Sequence, residues 1–129
     1  MIQKKKAPKK ASPTALPARR RIATKALVQV ADATLHALST MEMPRAGAVV
    51  FVLPGKPPRT QNFGDEVTKK TPPLLHVEVD EKALAAANEA GFSHAAELLA
   101  RGAIKLSGDA RVLAQALPRL VAALEQAAG

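Results

Sequence analysis

The chain has 129 residues, enough for one domain with a modest core. It contains no cysteine, which excludes disulfides and thiolate chemistry, and no apolar run approaching the ~20 residues that span a bilayer as a helix. The net charge of +8 is unevenly placed: residues 1–25 hold nine Lys or Arg and no acid, whereas residues 26–129 hold ten Lys or Arg and eleven acids. A basic arm is therefore expected on a nearly neutral body, with the boundary at residue 20.

Residues 1–20 are rich in Lys, Ala and Pro. Pro8, Pro13 and Pro17 forbid a continuous helix. The apolar content is too low to offset the entropy of ordering, so a disordered arm is expected. The charged start is not followed by the apolar stretch of a secretory signal. Residues 21–129 are read as a single domain.

Arg21–Thr40 reads as a helix. Lys25, Gln29, Asp32, His36 and Ser39 draw one polar stripe, and Leu27, Val30, Ala31, Leu35 and Leu38 lie on the other face. Pro44 disfavours helical geometry at Met43, which ends the segment. Ala46–Leu53 is short, apolar and β-branched, the pattern of a buried strand. Pro54–Pro73 is polar and broken by prolines; it reads as a long connection, with at most a weak hairpin around Asn62-Phe63-Gly64-Asp65.

Leu74–Val79 alternates apolar and polar residues and predicts a strand wetted on one face. Asp80 is a helix cap for Glu81–Ala90, and Gly91 supplies the stop. Ser93 is expected to cap a short helix over His94–Arg101 that ends at Gly102. A strand over Ala103–Leu106 follows. Asp109 caps a final helix running to about Ala127, with Leu113, Ala116, Leu117, Leu120 and Leu124 as its apolar face. Pro118 predicts either a kink or the start of a separate terminal helix.

No catalytic constellation emerges. His36, His76 and His94 are unpaired in sequence, and no cysteine accompanies them, so a zinc site of the usual kind is not expected. Gly55-Lys56 lacks the upstream glycine and the following Ser or Thr of a phosphate loop. Glu78, Asp80 and Glu81 read as solvated acids at a strand end and a helix start. A non-catalytic protein without metal or cofactor is expected.

The clearest electrostatic signal is the arm. Lys4, Lys5, Lys6, Lys9, Lys10, Arg19, Arg20, Arg21 and Lys25 would attract an anionic membrane surface or nucleic acid. No aromatic side chains are interleaved to stack bases. A solubilising tail is the plain alternative. The body has only three aromatic residues, Phe51, Phe63 and Phe92, so its core is thin. A protein partner, a homodimer or a place in a larger assembly would suit such a core.

One pattern bears on family. Gly102, Ile104, Leu106, Gly108 and Asp109, preceded by Val77, Val79, Asp80, Ala83 and Leu84, resemble the second half of the sterol carrier protein (SCP-like) domain family. The chain is similar in flavour to small bacterial members that assist ubiquinone biosynthesis. The resemblance implies an α+β fold, with helices packed on one face of a small, mostly antiparallel sheet. It implies one or two further strands between the first strand and Leu74, an apolar tunnel between layers, and a lipid or isoprenoid ligand. A cytoplasmic accessory module, held near membranes by its arm, would follow. Val50, Val52, Leu75, Val77, Leu98, Leu99, Leu113, Leu117 and Leu120 are the candidates to line a lipid site; the alternative is that they form the core.

Overall fold

The computed structural model describes residues 19–129. In chain order it contains α1 (Thr24–Ser39), β1 (Gly47–Val52), β2 (Arg59–Phe63), β3 (Leu75–Val79), α2 (Glu81–Ala90), α3 (Ala96–Ala100), β4 (Ile104–Gly108) and α4 (Ala110–Ala127). The strands form one sheet in the order β2-β1-β3-β4. β1 and β3 run parallel, and the two outer pairings are antiparallel. The fold is α+β with a mostly antiparallel sheet.

The alternation in β1 and β3 decides which face is covered. Val49 and Phe51 of β1 are buried beside Leu75 and Val77 of β3, and Val79 is buried beside Ile104 of β4. Against this face lie Leu27, Val30, Leu35 and Leu38 of α1, Leu84 of α2, Leu98 of α3, and Val112, Ala116, Leu120 and Leu124 of α4. The opposite face presents Val50 between Thr60 and His76, with Ser107 beyond, and among the described residues no helix covers it.

The apolar stripe of α1 is buried as its periodicity predicts, but the helix starts at Thr24 rather than Arg21. The preceding residues are held in extended form by the body. Arg20 pairs with Phe92 in an antiparallel bridge, and the backbones of Arg21 and Gly129 exchange hydrogen bonds of 2.9 and 2.8 Å. The side-chain amide of Asn88 does the same with the backbone of Ile22, accepting from its N–H and donating to its carbonyl, both at 2.9 Å. These bonds satisfy backbone groups that a helix would otherwise have paired internally.

Residues 54–73 hold more structure than their composition suggests. β2 lies within them, joined to β1 by a hairpin through Pro54–Pro58, so the turn precedes Asn62-Phe63 rather than containing it. β2 has no apolar alternation because it is a sheet edge, formed by backbone pairing to β1 more than by burial. Its Arg59 reaches α1, with Nε and Nη2 donating to Asp32 Oδ1 at 3.0 and 2.6 Å. The chain must then pass from β2 to the far side of β1 to start β3. Val67, Thr68, Lys69 and Thr71 lie over the uncovered sheet face on the way.

Both acidic caps form as their sequence context predicts. Asp80 accepts from the Ala83 N–H at 3.0 Å and Asp109 from the Arg111 N–H at 2.9 Å. Ser93 does not cap α3. The Glu97 carboxylate accepts instead from the N–H groups of Ser93 and His94, which leaves the serine hydroxyl outside the cap. β4 extends to Gly108, two residues beyond the expected Leu106. α4 is one helix through Pro118, which stands exposed on it, and Val112 replaces the expected Leu113 and Leu117 in its buried stripe.

Candidate functional site

The nine apolar candidates do not line one cavity. Leu75, Val77, Leu98 and Leu120 are fully buried core residues in contact with other side chains. Val50 and Val52 point to the opposite sheet face, because they alternate with Val49 and Phe51. Leu99 and Leu113 are half-buried at the margin of the core, and Leu117 is 43% exposed. The sheet and the last helix close on each other where a tunnel was expected, since Ala116, Leu120 and Leu124 fill that layer.

A cleft instead opens where α1 ends and α4 begins. Its volume is about 330 Å³, and its apolar lining is Leu38, Met41, Met43, Pro44 and Val112. Glu42, Arg111 and Gln115 supply its polar groups. Two local events build it. α1 ends at Ser39 and Pro44 keeps Met43 out of helical geometry, while the Asp109 cap fixes the first turn of α4 opposite them. The cap also orients the cation: Arg111 Nε and Nη2 donate to Asp109 Oδ1 and Oδ2 at 3.3 and 3.2 Å. Those side-chain bonds, with the backbone bond from Arg111, hold the Asp109 carboxyl below the ordinary carboxylate range, and Arg111 rises in turn. Arg45 joins from the other side, donating to the carbonyls of Pro72 and Pro73 at 2.8 and 3.0 Å and lying 3.7 Å from Asp109.

Such a cleft combines a flexible apolar lining with a fixed cation at its edge. Thioether side chains adapt to irregular apolar shapes. The sequence did carry a signal for it. The chain has three methionines, and two of them flank Glu42 directly before the proline that ends α1. Sequence periodicity treats them only as a helix end.

A second, wider groove of about 530 Å³ lies on the uncovered sheet face, floored by Ala48 and Val50 and rimmed by Thr60, Asn62, Lys69 and His76. Its loop wall is tied internally, with the Thr68 N–H donating to Thr71 Oγ1 at 2.9 Å. His76 Nε2 is 3.7 Å from Glu78 Oε1, while His36 and His94 are exposed on other elements. Among the described residues, no three His, Asp or Glu side chains gather as a metal site would require.

The basic set divides. Lys4, Lys5, Lys6, Lys9 and Lys10 lie outside the described residues. Arg20 is not available to an anionic surface: its guanidinium pairs with the Glu125 carboxylate and donates to the carbonyls of Glu125 and Ala128. Arg19 donates to the Ala90 carbonyl through one nitrogen, and Arg21 and Lys25 are exposed. The Glu125 carboxylate also accepts from the Ala95 N–H, and that bond, followed by Arg20, lowers its pKa. Arg19 and Arg20 therefore anchor the start of the described chain on α2 and α4. No helix among the described residues is long and apolar enough to cross a membrane. No family model, curated protein or solved structure matches the chain.

Proposed function

We propose that the protein is a binding module for an apolar chain, of acyl or isoprenoid type, with no bond chemistry of its own. The observation that carries this reading is the Met41–Met43 cleft, an apolar recess beside a held cation. Its 330 Å³ is at the small end of the ~300–1,000 Å³ range of ligand pockets, so it suits one end of a longer chain or a short chain. Arg111 stands at the rim with Nε and Nη2 bonded to Asp109, so Nη1 is the nitrogen it would offer an acidic or phosphorylated head group. The SCP-like pattern of Gly102, Gly108 and Asp109 points to the same ligand class, and β2 lies where that resemblance asks for a further strand. Among small bacterial SCP-like members, the ubiquinone-assisting ones would be the functional analogues.

The test uses the purified full chain. Native mass spectrometry reads co-purifying lipid, and titration with a fluorescent fatty acid and with a geranyl probe reads uptake. The Met43→Asp variant places a carboxylate in the lining and is expected to weaken uptake about tenfold or more, on the scale of burying an unpaired charge. A chain that carries no lipid and takes up neither probe refutes the reading.

A second reading rests on charge alone. The cations of residues 1–25 other than Arg20, which Glu125 holds, suit a nucleic acid or an anionic scaffold. Removing residues 1–18 and measuring duplex DNA binding across salt concentrations tests it. Binding that is absent, or unchanged by the deletion, refutes it.

A further inference from the structure

β4 is the free edge of the sheet on the side of α4. Two hydrogen bonds establish which of its backbone groups point outward. The Asp80 N–H donates to the Ala103 carbonyl at 2.9 Å, and the Asp109 N–H donates to the Leu74 carbonyl at 3.0 Å. Residues 103 and 109 therefore face β3. By the two-residue period of an antiparallel ladder, 105 and 107 face it too. The N–H and C=O groups of Ile104, Leu106 and Gly108 point away from the sheet, and among the described residues no strand stands beside them.

This outward set is symmetric about Leu106. An antiparallel second copy, related by a two-fold axis at Leu106, sets Leu106 opposite Leu106 and Ile104 opposite Gly108. Each of these pairs exchanges two hydrogen bonds. The same register sets Lys105 opposite Ser107, so no like charges face each other directly across the seam.

The flank of α4 on this side matches. α1 meets the other flank of α4, where Val30 and Ala33 lie near Ala123 and Ala127. Away from α1, Leu113, Leu117 and Val121 recur at steps of four, with Ala110 and Ala114 between them and no charge among them. Leu113 and Val121 are half-buried and Leu117 is 43% exposed, the only large apolar side chain exposed to that degree among the described residues. Leu106 is half-buried beneath them, on the helix side of the sheet. A bare edge strand beside an apolar helix flank is an aggregation hazard unless something covers it. β2, at the other edge, is polar from Arg59 to Asn62, whereas β4 carries Lys105 and Ser107 on the uncovered face and Ile104 and Leu106 on the helix side.

We infer that the protein forms a two-fold dimer through β4, making one eight-stranded sheet with the Leu113–Leu117–Val121 flanks of the two α4 helices in contact above the seam. The occupant is a second copy because the two-fold at Leu106 pairs each Lys105 with a Ser107 and lays the uncharged Leu113–Leu117–Val121 flank on its own equivalent.

Sedimentation equilibrium of the full chain from micromolar to millimolar concentration tests this, with Leu117→Lys as the variant. That side chain is already exposed, so the monomer fold tolerates the change. A concentration-dependent dimer is expected, weakened at least about 30-fold by Leu117→Lys, the scale of an interface hot spot. Hydrogen exchange on the same samples should protect the Leu106 and Gly108 amides in the dimer and release them on dilution. A chain that stays monomeric throughout refutes the inference, as does a dimer in which those two amides exchange freely. Monomeric protein whose binding to phosphatidylglycerol vesicles is lost in Leu117→Lys would assign the flank to a lipid surface and also overturn it.

Discussion

Gly108 and Gly102 bracket β4, and alanine substitution at each separates two physical effects. Both have positive φ, +76° at Gly102 and +137° at Gly108. At Gly102 an added Cβ meets nothing within 4 Å, so the cost is backbone strain alone, about 1 kcal/mol. At Gly108 the Cβ would sit 2.9 Å from the Leu74 carbonyl carbon and 2.9 Å from Leu75 Cα, and closer still to the Leu74 oxygen. These are backbone atoms of the paired strand and cannot rotate aside. β4 must then move off β3, and the Asp109–Leu74 hydrogen bond that starts α4 is lost with it. Strain of about 1–3 kcal/mol combined with this displacement places Gly108→Ala at about 3 kcal/mol or more, a large share of the 5–15 kcal/mol typical of a domain. The chain has no Trp or Tyr, so urea unfolding is followed by far-UV circular dichroism. If Gly108→Ala costs no more than Gly102→Ala, the close approach of β4 to Leu74 does not constrain this position.

Two further outcomes follow from the packing and the charges. Phe51 is 2% exposed at the centre of the covered sheet face, and Phe51→Ala is expected to cost about 3–5 kcal/mol by the same unfolding measurement. Glu125 has a lowered pKa, held by the Ala95 N–H and then by Arg20. A lowered carboxylate contributes stability that is complete above its unfolded pKa, about 4.3, and is lost as pH falls through the lower folded value. Glu125→Gln should therefore reduce stability at neutral pH and flatten the acid limb of the stability curve below about pH 4. An acid limb identical to that of the unsubstituted chain would show that the Arg20–Glu125–Ala95 junction contributes nothing.

Elements whose signals are local were legible in the sequence. α1 buries Leu27, Val30, Ala31, Leu35 and Leu38 because a helix's own period puts them on one stripe. Asp80 and Asp109 cap because a carboxylate can reach the nearby N–H groups without help from the fold. β1 and β3 are strands because their apolar residues suit a half-covered sheet. β2 was illegible: its residues are polar on both faces, and its partner β1 supplies the order. Ser93 failed as a cap because Glu97, from the first turn of the same helix, reaches the same N–H groups with a charged oxygen.

The candidate site separates along the same line. Leucine and valine at apolar positions announce burial, but their letters do not say whether a ligand or another side chain fills the space beside them. Only the packing decided that Leu75, Val77, Leu98 and Leu120 meet each other's neighbours in the core, and that Leu117 faces outward. Only the packing set Met41 and Met43 across from Val112 and Arg111, some seventy residues away along the chain. The sequence by itself determined the apolar stripe of α1, the Asp80 and Asp109 caps, and the concentration of cations in residues 1–25, because each depends on neighbours along the chain. The cleft, the commitment of Arg20 to Glu125 and the bare edge of β4 depend on residues that meet only when the sheet and its helices are assembled, and the tertiary structure decided them.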